Sequence, residues 1–391
     1  MKRRSRSVLV AHPSPDVYGS DLQLLESVAA VAAAGWRVVA VLPEPGPLVG
    51  LLRSRGVAVQ IVPYPVLRKS LLRPVGLARL VAGTAVALVR LTRLLRQARP
   101  AALYVNTVTN PVWLAAARLA GVPALCHVHE AEEDSPRVVR WGLAAPLLLA
   151  RRIVTNSGAA RNALTEVLPR LGPRIDVVHN GVAGPQEEPA LAAARRGRPA
   201  RLALVARLSP RKGPDVALDA LGILRDAGRK VELDLYGSVF PGYEWFEASL
   251  RERAGRPDVA GHVRFHGYVN PTWPALAAAD VVLVPSRVEP FGNTAVEAML
   301  ARRPVVASAV QGLREVIDDG RTGTLVAPAD PEALAAAIKG LLDHPARARA
   351  RAEAGYREAR DRFSPERYHA RILAAVEEVA GLTPDGAGDD A

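Results

Sequence analysis

The stretch RLALVARLSPRKGPDVALDAL (201–221) passes from a short apolar run through a basic turn into a helical pattern. The apolar run fits a strand that is buried on both faces, and Gly213 followed by Pro214 is typical of a helix start. The same succession of strand and helix recurs along nearly the whole chain. Because continuous apolar strands separated by helices form parallel sheets, the sequence predicts a doubly wound α/β fold.

The strand-like runs fall into two series. The first is SVLVAH, WRVVAVLP, VAVQIVP, ALYVN, ALCHVH, RIVTNS and IDVVHN, and the second is RLALVARL, VELDLYG, VRFHG, VVLVPS, PVVAS and TGTLVAP. The segment between them is rich in proline, glycine and charge, which is typical of a linker. We therefore expect two Rossmann-like domains, 1–182 and 201–364, joined by a linker at 183–200 and facing a cleft. A C-terminal helix at 365–381 and a mobile tail at 382–391 complete the prediction.

Composition limits the class of protein. The chain has 391 residues, of which 49% are hydrophobic and 23% charged, as in globular proteins of more than one domain. A single cysteine, Cys126, excludes a disulfide framework and a thiolate metal cluster, and it fits a reducing compartment. The basic start is followed only by the apolar run VLVA, which is too short for a secretory signal. We therefore expect a cytoplasmic protein.

Positive charge is concentrated in the first half. Residues 1–182 hold 23 basic and 10 acidic side chains, within a whole-chain net charge of +12. Residues 68–99 contain eight basic residues and no acidic one. At about 100° per residue, Arg79, Arg90 and Arg93 share one helix face. One interpretation is a basic amphipathic helix on an anionic membrane, peripheral to its cytoplasmic face; the other is a crossover helix with solvated arginines. A nucleic-acid surface is not expected, because few aromatic residues lie among these cations.

Polar residues that follow the predicted strands are candidates for a binding site, because ligands bind at the carboxyl ends of parallel strands. Arg207 ends one strand, Lys212 lies on the next turn, and a helix starts at Gly213-Pro214. Two cations beside a helix N-terminus suit a diphosphate group. A solvated basic turn is the alternative explanation.

A second candidate is RVEPFGNTAVEAML (287–300), which carries Glu289 and Glu297 on either side of a Pro-Phe-Gly break. The turn at 291–293 could hold phosphate oxygens through its backbone N–H groups, and a nearby carboxylate could accept hydrogen bonds from sugar hydroxyls. Thr294 with Glu297 also fits a helix capping box, which would give Glu297 a structural role.

These motifs together resemble the retaining glycosyltransferases of the GT-B fold, glycosyltransferase family 4. EPFGNTAVE is similar to the Glu-x7-Glu signature of that family. VARLSPRKGPDVALDAL resembles its phosphate-binding segment, VQGLREVIDDGRTGTLVAPAD the segment after the signature, and HNGV the end of its first domain. The resemblance covers almost the whole chain, and the motifs occur in the family's order.

The resemblance implies a role for each matching residue of the second domain. Glu289 would contact hydroxyls of the donor sugar near the reacting carbon, and Glu297 would bind the ribose. Arg207 and Lys212 would neutralise the diphosphate, whose charge grows as the leaving group departs. The distal phosphate would lie against the turn and helix start formed by Phe291, Gly292, Asn293 and Thr294.

The resemblance also implies roles in the first domain. His129 in CHVHE would lie by the transferred sugar and the acceptor, although Glu130 stands where the family has aspartate. Gly19 and Asn180 are expected on the acceptor side. Gly19 lies in Tyr18-Gly19-Ser20, where the family often has a Gly-Gly loop.

No metal or other cofactor is expected. A metal site from His127 and His129 is disfavoured, because we expect the strand to direct them to opposite faces. The nearest acid-x-acid pattern, Glu232-Leu233-Asp234, lies inside a predicted strand. The expected activity is metal-independent, retaining transfer of a sugar from a nucleoside-diphosphate sugar to a hydroxyl on a glycan or lipid-linked acceptor.

The sequence also bears on two other classes of protein. A Rossmann oxidoreductase would need a glycine-rich turn after the first strand, where the chain has HPSPDVYG. A non-catalytic, basic lipid-binding protein of GT-B type remains the alternative. The donor sugar, nucleotide base, acceptor and oligomeric state stay open.

Overall fold

The computed structural model describes residues 6–17, 19–67, 74–133, 135–191, 197–240 and 242–382, without the side chains of 74–82. The tail predicted to be mobile lies outside these residues except for Leu382, as do Tyr18 and the start of the basic segment, 68–73. The chain divides into two units. The first comprises Met1–Gly181 and Pro365–Ala391, and the second comprises Val182–Ser364.

The first unit is a parallel sheet between helices. Its strands are β1 Ser7–Ala11, β2 Arg37–Leu42, β3 Ala58–Ile61, β4 Ala102–Asn106, β5 Ala124–Val128, β6 Arg152–Thr155 and β7 Ile175–Val177. Its helices are α1 Gly19–Ala33, α2 Pro47–Ser54, α3 Pro74–Ala98, α4 Pro111–Ala120, α5 Arg137–Ala144, α6 Gly158–Val167 and, after the second unit, α14 Pro365–Ala380. The strand order is β3-β2-β1-β4-β5-β6-β7. Strands β2 and β3 are therefore added on one side of β1, and β4 to β7 are added on the other side.

The second unit repeats this architecture. Its strands are β8 Ala200–Val205, β9 Val231–Tyr236, β10 Val263–Gly267, β11 Val281–Val284, β12 Val305–Ser308 and β13 Thr324–Val326. Its helices are α7 Pro214–Asp226, α8 Glu244–Ala254, α9 Trp273–Ala278, α10 Asn293–Leu300, α11 Leu313–Val316, α12 Pro331–Asp343 and α13 Pro345–Arg362. The order is β10-β9-β8-β11-β12-β13. Both sheets therefore have the topology in which side chains after the central strands converge.

Helix α14 belongs to the first unit, although it follows the second along the chain. Tyr368, Ile372 and Val376 are buried in the same hydrophobic cluster as Val8 and Leu24 of that unit. The sequence predicts this helix but not its location, because an amphipathic pattern does not specify which sheet it covers.

Two strands differ from the prediction of full burial. β3 and β10 stand at sheet edges, and Ile61 of β3 is 40% exposed. His266 of β10 is exposed as well. An edge strand has one neighbour instead of two, so its short apolar run leaves part of its surface in water.

Helix α3 covers most of the basic segment. Leu91 and Leu95 are fully buried in the core of the first unit, whereas Arg90, Arg93 and Arg96 are exposed. This is the packing expected of a crossover helix. No helix in the described residues combines the length and apolarity needed to cross a membrane.

Candidate functional site

The candidate site of the second unit is built from loops after adjacent strands. β8 lies between β9 and β11, and β11 pairs with β12 on its other side. The loop after β8 carries Arg207 and Lys212, that after β11 carries Glu289, and that after β12 carries Gln311. Because all these strands are parallel, their carboxyl ends meet at one edge of the sheet.

Glu289 and Lys212 form an ion pair. Lys212 Nζ donates to Glu289 Oε2 at 2.5 Å, and Ser286 Oγ donates to the same oxygen at 3.1 Å. Glu289 is only 8% exposed, and its backbone N–H donates to Gln311 Oε1 at 3.0 Å. A carboxylate this buried needs such partners. The structure thus brings together two residues predicted to bind neighbouring parts of one ligand.

A second ion pair clamps the same two loops. Both guanidinium NH groups of Arg287 donate to the Asp215 carboxylate, at 2.9 and 2.7 Å, and one also donates to the Pro210 carbonyl at 2.8 Å. Gly213, at φ +66°, lies so close to the other loop that an added Cβ would approach the Pro285 carbonyl oxygen to 2.1 Å. These contacts fix the position of Lys212 relative to Glu289.

The turn before α10 depends on two glycines. Gly292 has φ +112°, a left-handed conformation that glycine adopts without strain. Gly312 has an ordinary helical φ of −63°. A Cβ at Gly312 would nevertheless come within 2.3 Å of the Pro290 carbonyl oxygen and 2.5 Å of Phe291 Cα. The loop after β12 can therefore lie against the turn only because residue 312 has no side chain.

The alternative explanation, a capping box at Thr294 and Glu297, is wrong. Helix α10 begins at Asn293 with Gly292 as its N-cap, and no side chain caps it. Thr294 Oγ1 instead donates to the Val205 carbonyl at 3.1 Å, which ties the helix to the end of β8. Glu297 Oε2 accepts from Thr272 Oγ1 at 3.2 Å. Glu297 therefore does not cap α10.

Burial raises the pKa of Glu297 to about 7, against a weaker opposing effect of the Thr272 hydrogen bond. The usual glutamate value is about 4.3. The folded state therefore holds the proton of Glu297 more tightly than the unfolded state does. The stability that this proton adds to the folded state is complete below the unfolded-state pKa, and it is lost as the pH rises through the folded-state pKa.

We expect Glu297→Gln to stabilise the ligand-free protein above neutral pH. The variant removes the cost of a buried negative charge, so its free energy of unfolding should exceed that of wild type by about 1–3 kcal/mol at about pH 8 and by far less at about pH 5. Denaturant unfolding at both pH values measures the difference. An equal difference at the two pH values would contradict the proposed burial effect.

The remaining predicted residues are placed as follows. Arg207 lies two residues beyond β8, with its guanidinium over the ring of Phe240. Phe291 is buried and packs edge-on against Phe363 at a centroid distance of 5.6 Å. Its side chain is part of the core, so only its backbone is suited to contact a ligand. Asn293 is half-buried at the first position of α10.

In the first unit, three polar residues follow neighbouring strands. His12 comes after β1, Asn106 ends β4, and His129 comes after β5. Asn106 Oδ1 lies 2.9 Å from His129 Nε2, and Asn106 Nδ2 lies 2.9 Å from His12 Nδ1. Burial, followed by the effect of nearby His12, lowers the pKa of His129 to about 3. His129 is therefore a neutral, half-buried imidazole.

The expectation that His127 and His129 point to opposite faces is wrong. Their ring centroids are 4.0 Å apart, because residues two apart in a strand share a face. His127 is fully buried, and its Nδ1 is 2.6 Å from the Tyr104 hydroxyl. In the described residues no group of three or more His, Cys, Asp or Glu side chains is arranged to hold a metal ion.

The two residues predicted for the acceptor side both belong to the first unit. Gly19 begins α1, and an added Cβ there would meet no atom within 4 Å. Asn180 lies beyond β7 and is 4% exposed. Ser157 caps α6, because its hydroxyl accepts from the Ala160 N–H at 3.0 Å.

Several supporting residues were not found from the sequence. Asp215, Arg287 and Thr272 act through contacts between loops, and Asn106 looks like an ordinary strand end. The one available signal for Asn106 was its position: a polar residue closing an otherwise apolar strand beside the strand that bears His129.

Two family models match the chain. The model described as Glycosyltransferase Family 4 matches residues 19–183, and that described as Glycosyl transferases group 1 matches residues 199–344. Glycogen synthase of Mycobacterium tuberculosis is 33% identical over 229 residues, which are 58% of this chain and 53% of that protein. The match thus spans about half the length of this relative. The 2-deoxystreptamine glucosyltransferase of Streptomyces kanamyceticus is 32% identical over 84% of this chain and 90% of that protein.

Solved structures of the same fold extend the comparison. The crystal structure of Anabaena HepE in complex with UDP and glucose has a TM-score of 0.79 at 22% identity, covering 95% of this chain and 99% of that one. Sucrose-phosphate synthase from Thermosynechococcus elongatus has a TM-score of 0.75 at 20% identity, covering 96% and 100%. These likenesses and the two parallel-sheet units confirm the predicted GT-B fold. The chain therefore belongs to the glycosyltransferase family that the two matching models describe, glycosyl transferases group 1 and glycosyltransferase family 4.

Proposed function

We propose that the protein transfers a sugar from a nucleoside-diphosphate sugar to an acceptor hydroxyl, with retention at the anomeric carbon and without a metal ion. The observation that carries the proposal is the pair of Glu289 and Lys212, at 2.5 Å. In such a donor, the reacting carbon belongs to a sugar ring that carries hydroxyls, and it is bonded to an oxygen of the diphosphate. A carboxylate and an ammonium group side by side match that junction, one accepting from hydroxyls and the other attracting phosphate.

The rest of the donor has a fitting surface in the second unit. The start of α10, at Gly292 and Asn293, directs the positive end of the helix dipole toward the position proposed for a phosphate. Glu297 lies one turn further along the same helix, where an ionised carboxylate could accept from two ribose hydroxyls. We propose that hydroxyl donors lower its raised pKa on binding, so that nucleotide binding displaces a proton.

Metal independence rests on the cations of the chain. Arg207 and Lys212 are proposed to stabilise the charge that develops on the leaving diphosphate. In other phosphate chemistry a divalent metal ion stabilises this charge. Lys212 is already held by its contact with Glu289, so little reorganisation is needed when the donor binds.

The comparisons suggest which substrates to try first. HepE was solved in complex with UDP-glucose, and relatives of this chain are named 2-deoxystreptamine glucosyltransferase and D-inositol 3-phosphate glycosyltransferase. We propose UDP-glucose as the first donor, and cyclitols as the first acceptors beside glycans and lipid-linked sugars.

The test is turnover in the presence of EDTA. Donor and acceptor panels are screened for release of nucleoside diphosphate, and the anomeric proton of the product is read by NMR. An α-linked donor should give an α-linked product. A β-linked product would overturn retention, and a strict requirement for added divalent ion would overturn metal independence.

A membrane-facing role is a second proposal, carried by α3. Val86 and Val89 are 71% and 50% exposed next to exposed Arg90 and Arg93, and apolar groups beside cations suit an anionic bilayer surface. Such a surface would bring the enzyme to a lipid-linked acceptor. It would equally suit the alternative, a lipid-binding protein without catalysis.

We expect vesicles containing anionic lipid to retain the protein at low salt. Replacing Arg90 and Arg93 by serine should weaken retention by about tenfold or more, since each basic residue near the surface contributes about 1 kcal/mol. Serine at the exposed pair Arg347 and Arg349 of α13 makes the same charge change elsewhere and is the control. Equal retention of both variants would count against this surface.

A further inference from the structure

A continuous line of hydrogen bonds ends at His129. Asp21 Oδ1 lies 2.8 Å from His12 Nε2, His12 Nδ1 lies 2.9 Å from Asn106 Nδ2, and Asn106 Oδ1 lies 2.9 Å from His129 Nε2. His12 and Asn106 are fully buried and Asp21 is 3% exposed. The line links α1 to the carboxyl ends of three neighbouring strands, β1, β4 and β5.

The amide of Asn106 sets the direction of the bonds in the line. Its Nδ2 lies toward His12 Nδ1 and can only donate, so Nδ1 accepts and His12 carries its proton on Nε2, where Asp21 Oδ1 accepts it. Its carbonyl oxygen lies toward His129. That oxygen accepts only from a protonated Nε2. The line therefore specifies one of the two neutral forms of His129.

The ring of His129 is restrained from a second side. His127 packs against it at a centroid distance of 4.0 Å and is itself held by the Tyr104 hydroxyl. In the described part of the chain, no hydrogen bond is made to the remaining ring nitrogen of His129, Nδ1. A ring with one nitrogen bonded internally and the other bare presents a single, oriented acceptor.

We infer that Asn106, supported by His12 and Asp21, is a positioning residue that holds His129 with its proton on Nε2, so that Nδ1 accepts a hydrogen bond from a hydroxyl of the acceptor. The inference rests on the proposed function for the identity of the hydroxyl, but the form of the imidazole does not depend on it. Because burial keeps the pKa of His129 far below neutrality, the ring stays neutral, and the position of its one proton decides what it can bind.

The first test reads the imidazole directly. Protein labelled with ¹⁵N in its histidine rings is examined by long-range ¹H–¹⁵N correlation NMR, and His129 is assigned by the signal lost in His129→Gln. We expect a bare Nδ1 and a protonated Nε2 in the wild-type protein. A protonated Nδ1 would overturn the inference, whether or not any glycosyl transfer is detected.

Two variants of Asn106 separate positioning from packing. Asn106→Leu has a similar branched shape but no acceptor, so we expect a mixture of both neutral forms of His129. Asn106→Asp keeps an acceptor for Nε2–H, so the wild-type form should persist. A pure wild-type form in the leucine variant would contradict the role of Asn106.

Kinetics provide a second readout on the same variants. Leucine at position 106 should lower kcat by about tenfold with little change in the donor KM, the effect of losing one oriented hydrogen bond. Aspartate should restore part of that loss. Equal kcat values in wild type and the leucine variant would overturn the inference. Turnover absent from the wild type would instead overturn the proposed function, leaving the NMR result to decide the form of His129.

Discussion

Replacing Lys212 by alanine is expected to lower kcat by about 10²–10³-fold, the effect of removing one group aimed at charge that develops in the transition state. Lys212 is within 2.5 Å of Glu289, which is 8% exposed. The variant therefore loses the cation for the departing diphosphate and also leaves a buried carboxylate without its ammonium partner. Both effects act on the same step, so kcat should fall more than the donor KM rises.

Lys230→Ala is the matched control, because Lys230 is an exposed lysine of the same unit, just before β9. Its kcat and unfolding midpoint should equal those of wild type. Steady-state kinetics with the best donor measure both variants. Comparable kcat values for Lys212→Ala and wild type would remove Lys212 from the mechanism.

Replacing Gly312 by alanine is expected to destabilise the protein by about 3 kcal/mol, near the upper end for overpacking. The new Cβ would meet three backbone atoms of Pro290 and Phe291 at 2.3 to 2.7 Å. Backbone atoms cannot rotate away as a side chain can. The loop that carries Gly312 and the turn that contains Pro290 and Phe291 must therefore move apart. The backbone contact between Gly312 N–H and the Glu289 carbonyl, now 3.1 Å, would be lost. Donor binding should weaken together with stability.

Gly340→Ala in α12 isolates the steric effect. Its added Cβ would have no neighbour within 4 Å, and alanine in a helix interior should stabilise by about 0.5–1 kcal/mol relative to glycine. Since Gly312 has an ordinary φ, backbone strain cannot account for a loss there. Denaturant unfolding of both variants measures the contrast; a change of less than about 0.5 kcal/mol at Gly312 would mean that the loops adjust without cost.

The fold was predictable from the sequence because its pattern is local and repeated. Each apolar run before a helical segment fixes one strand and its crossover, and parallel pairing follows. The local pattern does not show which other strand or helix each element packs against. It did not show that β3 would stand at an edge with Ile61 in water, or that α14 would return to the first unit. Both depend on contacts between residues far apart in the chain.

The site was predictable only in part. Glu289 and Lys212 were expected to bind one ligand, and the structure places them in contact. The capping box at Thr294 was wrong because tertiary contacts with Val205 and Thr272 compete with the local motif. The error over His127 and His129 was a miscount of strand period. The support given by Asn106 could not be read from sequence, because it requires three strands to be neighbours in space.

We propose that the second unit binds a nucleoside diphosphate through Lys212 and Glu297 without a metal ion. Isothermal titration with UDP, GDP and ADP in EDTA tests it most directly, using wild type, Lys212→Ala, Glu297→Ala and Lys230→Ala. We expect one nucleotide to bind wild type and Lys230→Ala equally at one site per chain, and to bind the other two variants at least about tenfold more weakly. Equal binding to all four proteins, or no binding of any of these nucleotides to wild type, would contradict it.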